Sequence, residues 1–543
     1  MGRRGLLGQP VGLVPSGVVV GAFATLLAIH FSTVAGTAWA QDSGPLGPEW
    51  TDPSDPTHED LRTLAAQGVL PLRVLTSSDL LRSRIAGWRV GSPSGAENHV
   101  GVAVRRIERE FAEELALDTP LDTTLVSPLD PLIDRPLGTT RLRLRPYVWF
   151  EGRWRGGSDA TWGDHPRVGI RGSLHLTPNL SLNQDMFAGR VKDGRALGDA
   201  LVNHTDFLLF VESVDLTWTR GDHYLRVGRF RHDWGPGRNG NLLLSGVAPP
   251  MDQVHYGLTF GPFSFYSSSG PVNRTAEKNV AIHRLEWTPH PRFVLGLSEG
   301  ATFPGSPFDP LYLLGIVPYS VLDRMHAQDV YQEDDALSVR NNVLAQIDAT
   351  ARVGTGLLWA ELLLDDVGTE DSSYPSRLGF SAGAESVLET DGALWSAGIE
   401  AAKVYDYVYS VSYEDSDWAH QGEPIGWPLG PDSESLHAFV SWQPSIEWRL
   451  QAEGVVSRHG EGRIGDPWYP SEDPRSTDND SDPSSLRGVV ERRTVGALAV
   501  TYEPTGELRI EVRASHIAID NQGNLDGVDE DDDRIELSVR WHR

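Results

Sequence analysis

The sequence predicts an all-β transmembrane barrel of about 18 antiparallel strands, preceded by a small periplasmic helical domain. Three observations carry this. From Arg141 onward, polar and apolar residues alternate with a period of two. Short turns and long polar connections follow one another without a break. After residue 40, no uncharged apolar run approaches the roughly 20 residues a membrane helix needs, so a membrane could be crossed only by a closed barrel.

At the N-terminus, Arg3 and Arg4 precede an uncharged stretch through Ile29, and Ala38-Trp39-Ala40 offers a small-residue cleavage site before Gln41. Residues 1–40 are read as a signal peptide; an uncleaved anchor is the alternative, disfavoured by Pro10 and Pro15. Either way the chain is exported. Without that segment, 45 basic side chains face 75 acidic ones, a net charge of −30, which argues against nucleic acid as partner. The chain has no Cys, which excludes disulfides, thiolate catalysis and thiolate metal sites.

Residues 41–118 read as a helical segment. Asp55-Pro56 provides an N-cap and a helix-first proline for a helix ending near Gly68, and Thr76 with Asp79 forms a capping box for the next. Helical periodicity then covers Glu97 to Leu117. The stretch from Asp55 to Arg84 resembles an S-layer-homology module, which implies a peptidoglycan-linked polymer as a partner. Residues 119–140, with Pro120, Pro128, Pro131 and Pro136, read as a linker.

Residues 141–543 read as the barrel. Tight turns are expected at Thr177–Asn179, Thr219–Asp222, Gly261-Pro262, Thr288–Pro291, Gly354–Gly356, Glu389–Gly392, Gln443–Ser445 and Glu503–Gly506. Nine longer connections lie near 155–166, 192–204, 232–252, 269–278, 302–342, 367–376, 414–433, 459–491 and 520–532. Eight turns and nine loops join eighteen strands, with both ends on the short-turn side. This is the periplasmic side of an outer-membrane barrel, and the long loops are then extracellular. The last strand carries Trp541, as chains taken up by the barrel-insertion machinery tend to. A secreted sandwich array or propeller would show the same alternation, but no repeat of fixed period is present.

The densest motif runs from Gly228 through Trp234-Gly235-Pro236-Gly237-Arg238-Asn239 and Leu242-Leu243-Leu244-Ser245 to Ala248-Pro249-Pro250. A second runs from Trp418 and His420 through Gly422, Pro424 and Gly426-Trp427 to Asp432. Together they resemble the Wzi family of capsule-assembly outer-membrane proteins, over Arg141 to Arg543. The resemblance implies an eighteen-stranded barrel that binds exported polysaccharide and helps anchor or assemble it at the cell surface. Polysaccharide-binding candidates are Trp234, Arg238, Asn239, Trp418, His420, Trp427, Asp432, Trp468 and Tyr469, because flat apolar rings suit sugar faces and polar groups take hydroxyls. In the structural alternative, Trp234 and Trp427 sit in an interfacial aromatic belt. Gly235, Pro236, Gly237, Ser245, Pro249, Pro250, Gly422, Pro424 and Gly426 are read as shaping the motif.

Two G-x-S-x-G matches, at Ser298 and Ser381, lie in period-two segments without the strand-turn-helix context of a nucleophile elbow, so no enzyme is assigned. The acidic stretch from Gln522 to Asp533 departs from an EF-hand at its first and last positions, and no metal or cofactor site is assigned. Outer-membrane lipid is the expected surrounding. A sugar porin is the alternative function, since Arg143, Arg145, Glu511, Arg513, Glu536 and Arg540 would line a polar lumen. Loop 302–342 is of the length that commonly folds inward as a constriction.

Overall fold

The computed structural model describes residues 46–51, 57–77, 80–88, 103–104, 106–107, 110–111, 133–156, 161–190, 200–201, 207–273, 277–331, 341–366, 376–390, 393–411, 416–466 and 484–542. The expected signal peptide lies outside them, as do Trp468 and Tyr469.

Eighteen long antiparallel strands form the barrel. In chain order they are β1 (Thr140–Arg155), β2 (Thr161–Thr177), β3 (Leu180–Arg190), β4 (Phe207–Arg220), β5 (His223–Phe230) and β6 (Met251–Phe260). Next come β7 (Phe263–Asn273), β8 (Lys278–His290), β9 (Phe293–Pro304), β10 (Asn342–Val353), β11 (Gly356–Asp366) and β12 (Arg377–Thr390). The last six are β13 (Ala393–Val404), β14 (Ser433–Gln443), β15 (Trp448–His459), β16 (Glu491–Thr505), β17 (Leu508–Asp520) and β18 (Glu530–His542). β1 closes the ring by pairing with β18 from Tyr147↔His542 to Arg155↔Arg534. Below Tyr147, where β18 has ended, Ile133–Leu137 of the linker pairs with β1 instead. No long edge is left open at the seam.

Alternation is resolved with polar side chains inward and apolar ones outward. Arg284, Glu286 and Asp348 are buried in the lumen, whereas Leu297, Ile347 and Leu498 expose 46%, 40% and 65% of their surface on the outer wall. On the short-turn side the outer wall carries exposed aromatics, among them Trp218, Phe260, Trp287, Trp395, Trp442 and Trp448, as a membrane interface favours. Trp234 and Trp427 are not part of this belt; both lie inside the barrel. Leu537 and Val539 share the outward face of β18 with Trp541, and Glu536 pairs inward with Arg153 at 2.6 Å. Leu537→Arg or Val539→Arg is therefore expected to impair assembly by roughly 2–4 kcal/mol near the bilayer midplane, while Glu536→Gln is tolerated. Equal losses in a heat-modifiability gel assay would contradict this sidedness.

The described N-terminal residues fill the short-turn mouth of the barrel. Helix α1 (Thr57–Gln67) ends at Gly68, as read from sequence, and a short 3-10 turn follows at Leu72–Leu75. The next helix, α2 (Arg82–Gly87), departs from the capping-box expectation. It is preceded by Leu81, which makes no side-chain cap, because Thr76 Oγ1 turns back onto the Arg73 carbonyl. Ala66 and Leu72 pack on the inward residues Val294, Leu357, Trp359 and Val387. Polar ties run around the ring: Glu49 to Arg143 and Arg145, Arg84 to the Asp222 carbonyl, Arg73 to Thr288, Gln67 to the Val387 carbonyl and Arg106 to Glu503.

The 302–342 loop departs from expectation more sharply, because its described part folds outward. α3 (Pro310–Leu314) is started by Asp309, whose carboxylate accepts from the Leu311 amide at 2.8 Å, and stopped by Gly315 at a positive φ. α3 and α4 (Tyr319–Tyr331) place Tyr312, Tyr319 and Leu322 on Ala281, Ala301 and Phe303 of the outer wall. A polar notch there draws them on: the Tyr319 amide donates to Glu299 at 2.8 Å, and Glu299 lies 3.3 Å from His283.

Candidate functional site

Two inward-folded loops occupy the half of the lumen bounded by β6–β13, and both grow from the motifs singled out in the sequence. The first, residues 231–250, forms a two-residue hairpin, Asp233–Trp234 against Leu244–Ser245. Gly235 has φ +139°, and a Cβ there would come within 2.2 Å of Glu361 Oε1, so only glycine fits. Its amide donates to the Thr76 carbonyl at 3.0 Å, joining this loop to the N-terminal segment inside the barrel. The second loop, residues 405–432, contains the hairpin Ala419–His420 against Glu423–Pro424.

The two loops lock onto each other. The Ser245 amide donates to the Ile425 carbonyl at 3.0 Å and its hydroxyl to the Gly426 carbonyl. Trp418 Nε1 donates to the Leu243 carbonyl at 2.8 Å, and the Tyr409 hydroxyl, which accepts from the Trp427 amide of its own loop, donates to the Leu242 carbonyl. Trp234, Trp418 and Trp427, expected to offer faces to sugars, are instead buried with Leu242, Leu243 and Ile425 in one apolar cluster. That packing leaves their faces covered. His420 is buried and meets the Val272 carbonyl at 3.0 Å. Asp432 accepts from the Gly462 and Arg487 amides and so pins the next loop; burial raises its pKa against those two hydrogen bonds.

Arg238 and Asn239 are buffered by carboxylates. Arg238 reaches Glu59 at 2.6 Å and Glu385 at 3.3 Å, while Asn239 donates to Glu400 at 2.8 Å. Burial raises the pKa of Glu59, but the Arg238, Arg449 and Arg62 guanidiniums outweigh it and hold the group at about 2. His232 is pushed well below the ordinary 6.5 by burial, with His255 and Arg226 adding to the effect. Both shifts make acid loosen the plug. Glu59 stabilises the fold above its ordinary 4.5, and that contribution is lost as pH falls toward 2; His232 resists a proton that the unfolded chain accepts below 6.5. Protease should therefore release the N-terminal segment faster at pH 4.5 than at pH 7, and His232→Gln should flatten the dependence near pH 6. A pH-independent release rate would count against the tie.

The other half of the lumen, bounded by β15–β18 and β1–β3, is polar and unfilled by these loops. At its base lies a cavity of about 560 Å³ between the N-terminal segment, the first loop and the barrel wall. Trp149, Tyr147, Arg167, Arg171, Phe187 and Arg540 line its barrel side. Register builds this arrangement: Arg540, Trp149 and Arg167 stand directly across from one another on β18, β1 and β2. Arg540 stacks on Trp149 at 3.8 Å, Arg167 on Trp149 at 4.3 Å, and Phe187 lies 5.4 Å from Arg167. Gly169 lets the Tyr147 ring lie against its backbone, since a Cβ there would meet that ring at 2.2 Å. Arg171 covers Tyr147 at 5.1 Å and pairs with Asp185 at 2.9 Å. Exposure rises toward the loop side, from 1% at Arg143 to 47% at Arg155, so the chamber opens upward. Sequence reading had Arg540 as a lumen residue but missed Trp149, Arg167 and Phe187. Trp149 shares the strand parity of Arg143 and Arg145, which was the signal available for it; Arg167 and Phe187 lie on other strands.

Ser298 and Ser381 lie on β9 and β12; Ser298 accepts from Arg284 at 3.1 Å. Among the described residues, no group of three or more His, Asp or Glu is placed to hold a metal ion.

The family model for capsule assembly protein Wzi matches residues 159–533. Among solved structures, the chain is similar to Wzi of Escherichia coli, an outer membrane protein involved in group 1 capsule assembly and a carbohydrate binding β-barrel. The identity is 15%, covering 91% of this chain and 99% of that one, with a TM-score of 0.59. OprD from Pseudomonas aeruginosa, at 10% identity, covers 74% of this chain and 93% of its own with a TM-score of 0.40. OmpT of Vibrio cholerae, also at 10%, covers 76% and 100% with a TM-score of 0.35. No curated protein matches the chain.

Proposed function

Because the chain belongs to the Wzi family of capsule assembly proteins, we propose that it is a non-enzymatic outer-membrane barrel that binds surface polysaccharide from its long-loop side and helps anchor it to the cell. The long loops face the medium and the N-terminal segment faces the periplasm. The polymer meets the loop tips, with Trp468 and Tyr469 the remaining aromatic candidates, and enters the polar half of the lumen. One observation carries this reading: the lumen is obstructed at the short-turn mouth by the N-terminal segment, yet among the described residues of its polar half side-chain exposure rises toward the loops. A barrel closed below and open above holds a ligand rather than passing it.

Deleting the protein is expected to leave polysaccharide export running while more polymer appears in the medium and less on the cell, because an anchor sets retention. Paired measurement of bound and free polymer, alongside uptake of a small sugar, checks it. Unchanged retention with lost sugar uptake would favour the porin alternative. Trp234→Ala and Trp427→Ala are expected to act through assembly of the plug, lowering barrel stability together with retention.

A further inference from the structure

We propose that the lumen chamber is a subsite for a carboxylate-bearing sugar, a hexuronate unit of the polymer, with Arg167 as its anion-binding group. This deepens the polysaccharide reading and rests on it.

The chain carries a net charge of −28, yet the chamber inverts that sign. Seven arginines and four carboxylates line it. Most of these cations are accounted for: Arg171 by Asp185, Arg231 by Glu212, Arg238 by Glu59, Arg62 by Glu385 and Arg509 by Glu511. Arg167 differs, since among the described residues no carboxylate lies within ion-pair distance of it. Its guanidinium carbon lies 4.3 Å from the centre of the Trp149 ring and 5.4 Å from that of Phe187. Ring contacts of this kind engage a guanidinium without using its N–H donors, and a guanidinium with no carboxylate partner takes an incoming carboxylate bidentately. The neighbouring rings add apolar surface for the C–H face of a sugar. Asp185, fixed by Arg171 and by the Tyr147 hydroxyl at 2.7 Å, stands ready to accept from sugar hydroxyls. A neutral glycan would gain the stacking and the hydroxyl contacts but would leave Arg167 without a counter-charge.

The test uses the full-length protein in detergent, titrated with trigalacturonate, with its methyl ester as a neutral probe of the same rings, and with inorganic phosphate. Tryptophan fluorescence and calorimetry report binding. We expect trigalacturonate to bind at least roughly tenfold tighter than the ester, Arg167→Gln to bring the two affinities together by weakening trigalacturonate far more than the ester, and phosphate to compete weakly. Arg153→Gln, on the same wall but outside the chamber, controls for general lumen charge and should keep most of the preference. Equal affinity for acid and ester, or an unaltered preference in Arg167→Gln, overturns the proposal while leaving polysaccharide binding intact. Phosphate binding as tight as trigalacturonate replaces the hexuronate with a phosphate-bearing ligand and also overturns it. If neither oligomer binds the folded protein and polymer retention on cells is normal without it, the polysaccharide reading itself fails.

Discussion

Removing residues 46–111 is expected to turn a closed barrel into a conducting one. The intact protein should give few or no conductance steps in planar bilayers, whereas the deletion should raise conductance by at least about tenfold, since an 18-stranded barrel freed of its filling encloses an aqueous channel. Ties all around the mouth justify the expectation. Glu49 engages β1, Arg84 the β4–β5 turn, Arg73 β8, Arg62 and Gln67 β12, and Arg106 β16. Most bonds within the barrel wall run between neighbouring strands and do not depend on this segment, so the ring should still close. A gentler version, Arg62→Ala with Arg106→Ala, removes two ties and should give intermediate, flickering openings. If the deletion assembles and remains non-conducting, the two inward loops rather than the N-terminal segment seal the lumen.

Breaking the buried ion network at Arg284 is the second large effect. Arg284 meets Asp348 through both terminal nitrogens, at 2.5 and 2.9 Å, and Glu286 at 2.9 Å through Nε, with all three side chains essentially without solvent. Gly296 makes room, since a Cβ there would meet the Arg284 guanidinium at 2.3 Å. Arg284→Leu leaves two carboxylates facing each other without a counter-charge and should destabilise the barrel by roughly 3–5 kcal/mol. Arg153→Leu is the comparison. It breaks an Arg153–Glu536 pair that is about one-third exposed and should cost less than about 1 kcal/mol. Urea unfolding in detergent followed by tryptophan fluorescence checks both, and similar losses would mean that burial does not set the strength of lumen pairs here.

These predictions rest on unequal parts of what could be read from the sequence. Strand existence, number and sidedness were legible because they are encoded locally. Arg141-Leu142-Arg143-Leu144-Arg145 and Arg534 to Val539 alternate at the strand period, and turns such as Thr177-Pro178-Asn179 carry their own chemistry. The Wzi-like motifs were legible for the same reason, as unbroken stretches with fixed glycines and prolines. Tertiary structure alone decided which way each loop folds and which side chains meet. An apolar loop can bury its face against either side of a barrel wall: Leu242–Leu244 and Trp427 met Val280, Ile282 and Leu344 inside, whereas Tyr312 and Leu322 met Ala301 and Phe303 outside. Composition does not distinguish these outcomes, and burial then turned the motif tryptophans from candidate sugar platforms into plug packing. The ring contacts of Arg167 arose likewise, from registers that put Trp149 directly across from it and Phe187 diagonally across, opposite Gly169, a coincidence of pairing that residue spacing along one chain does not reveal.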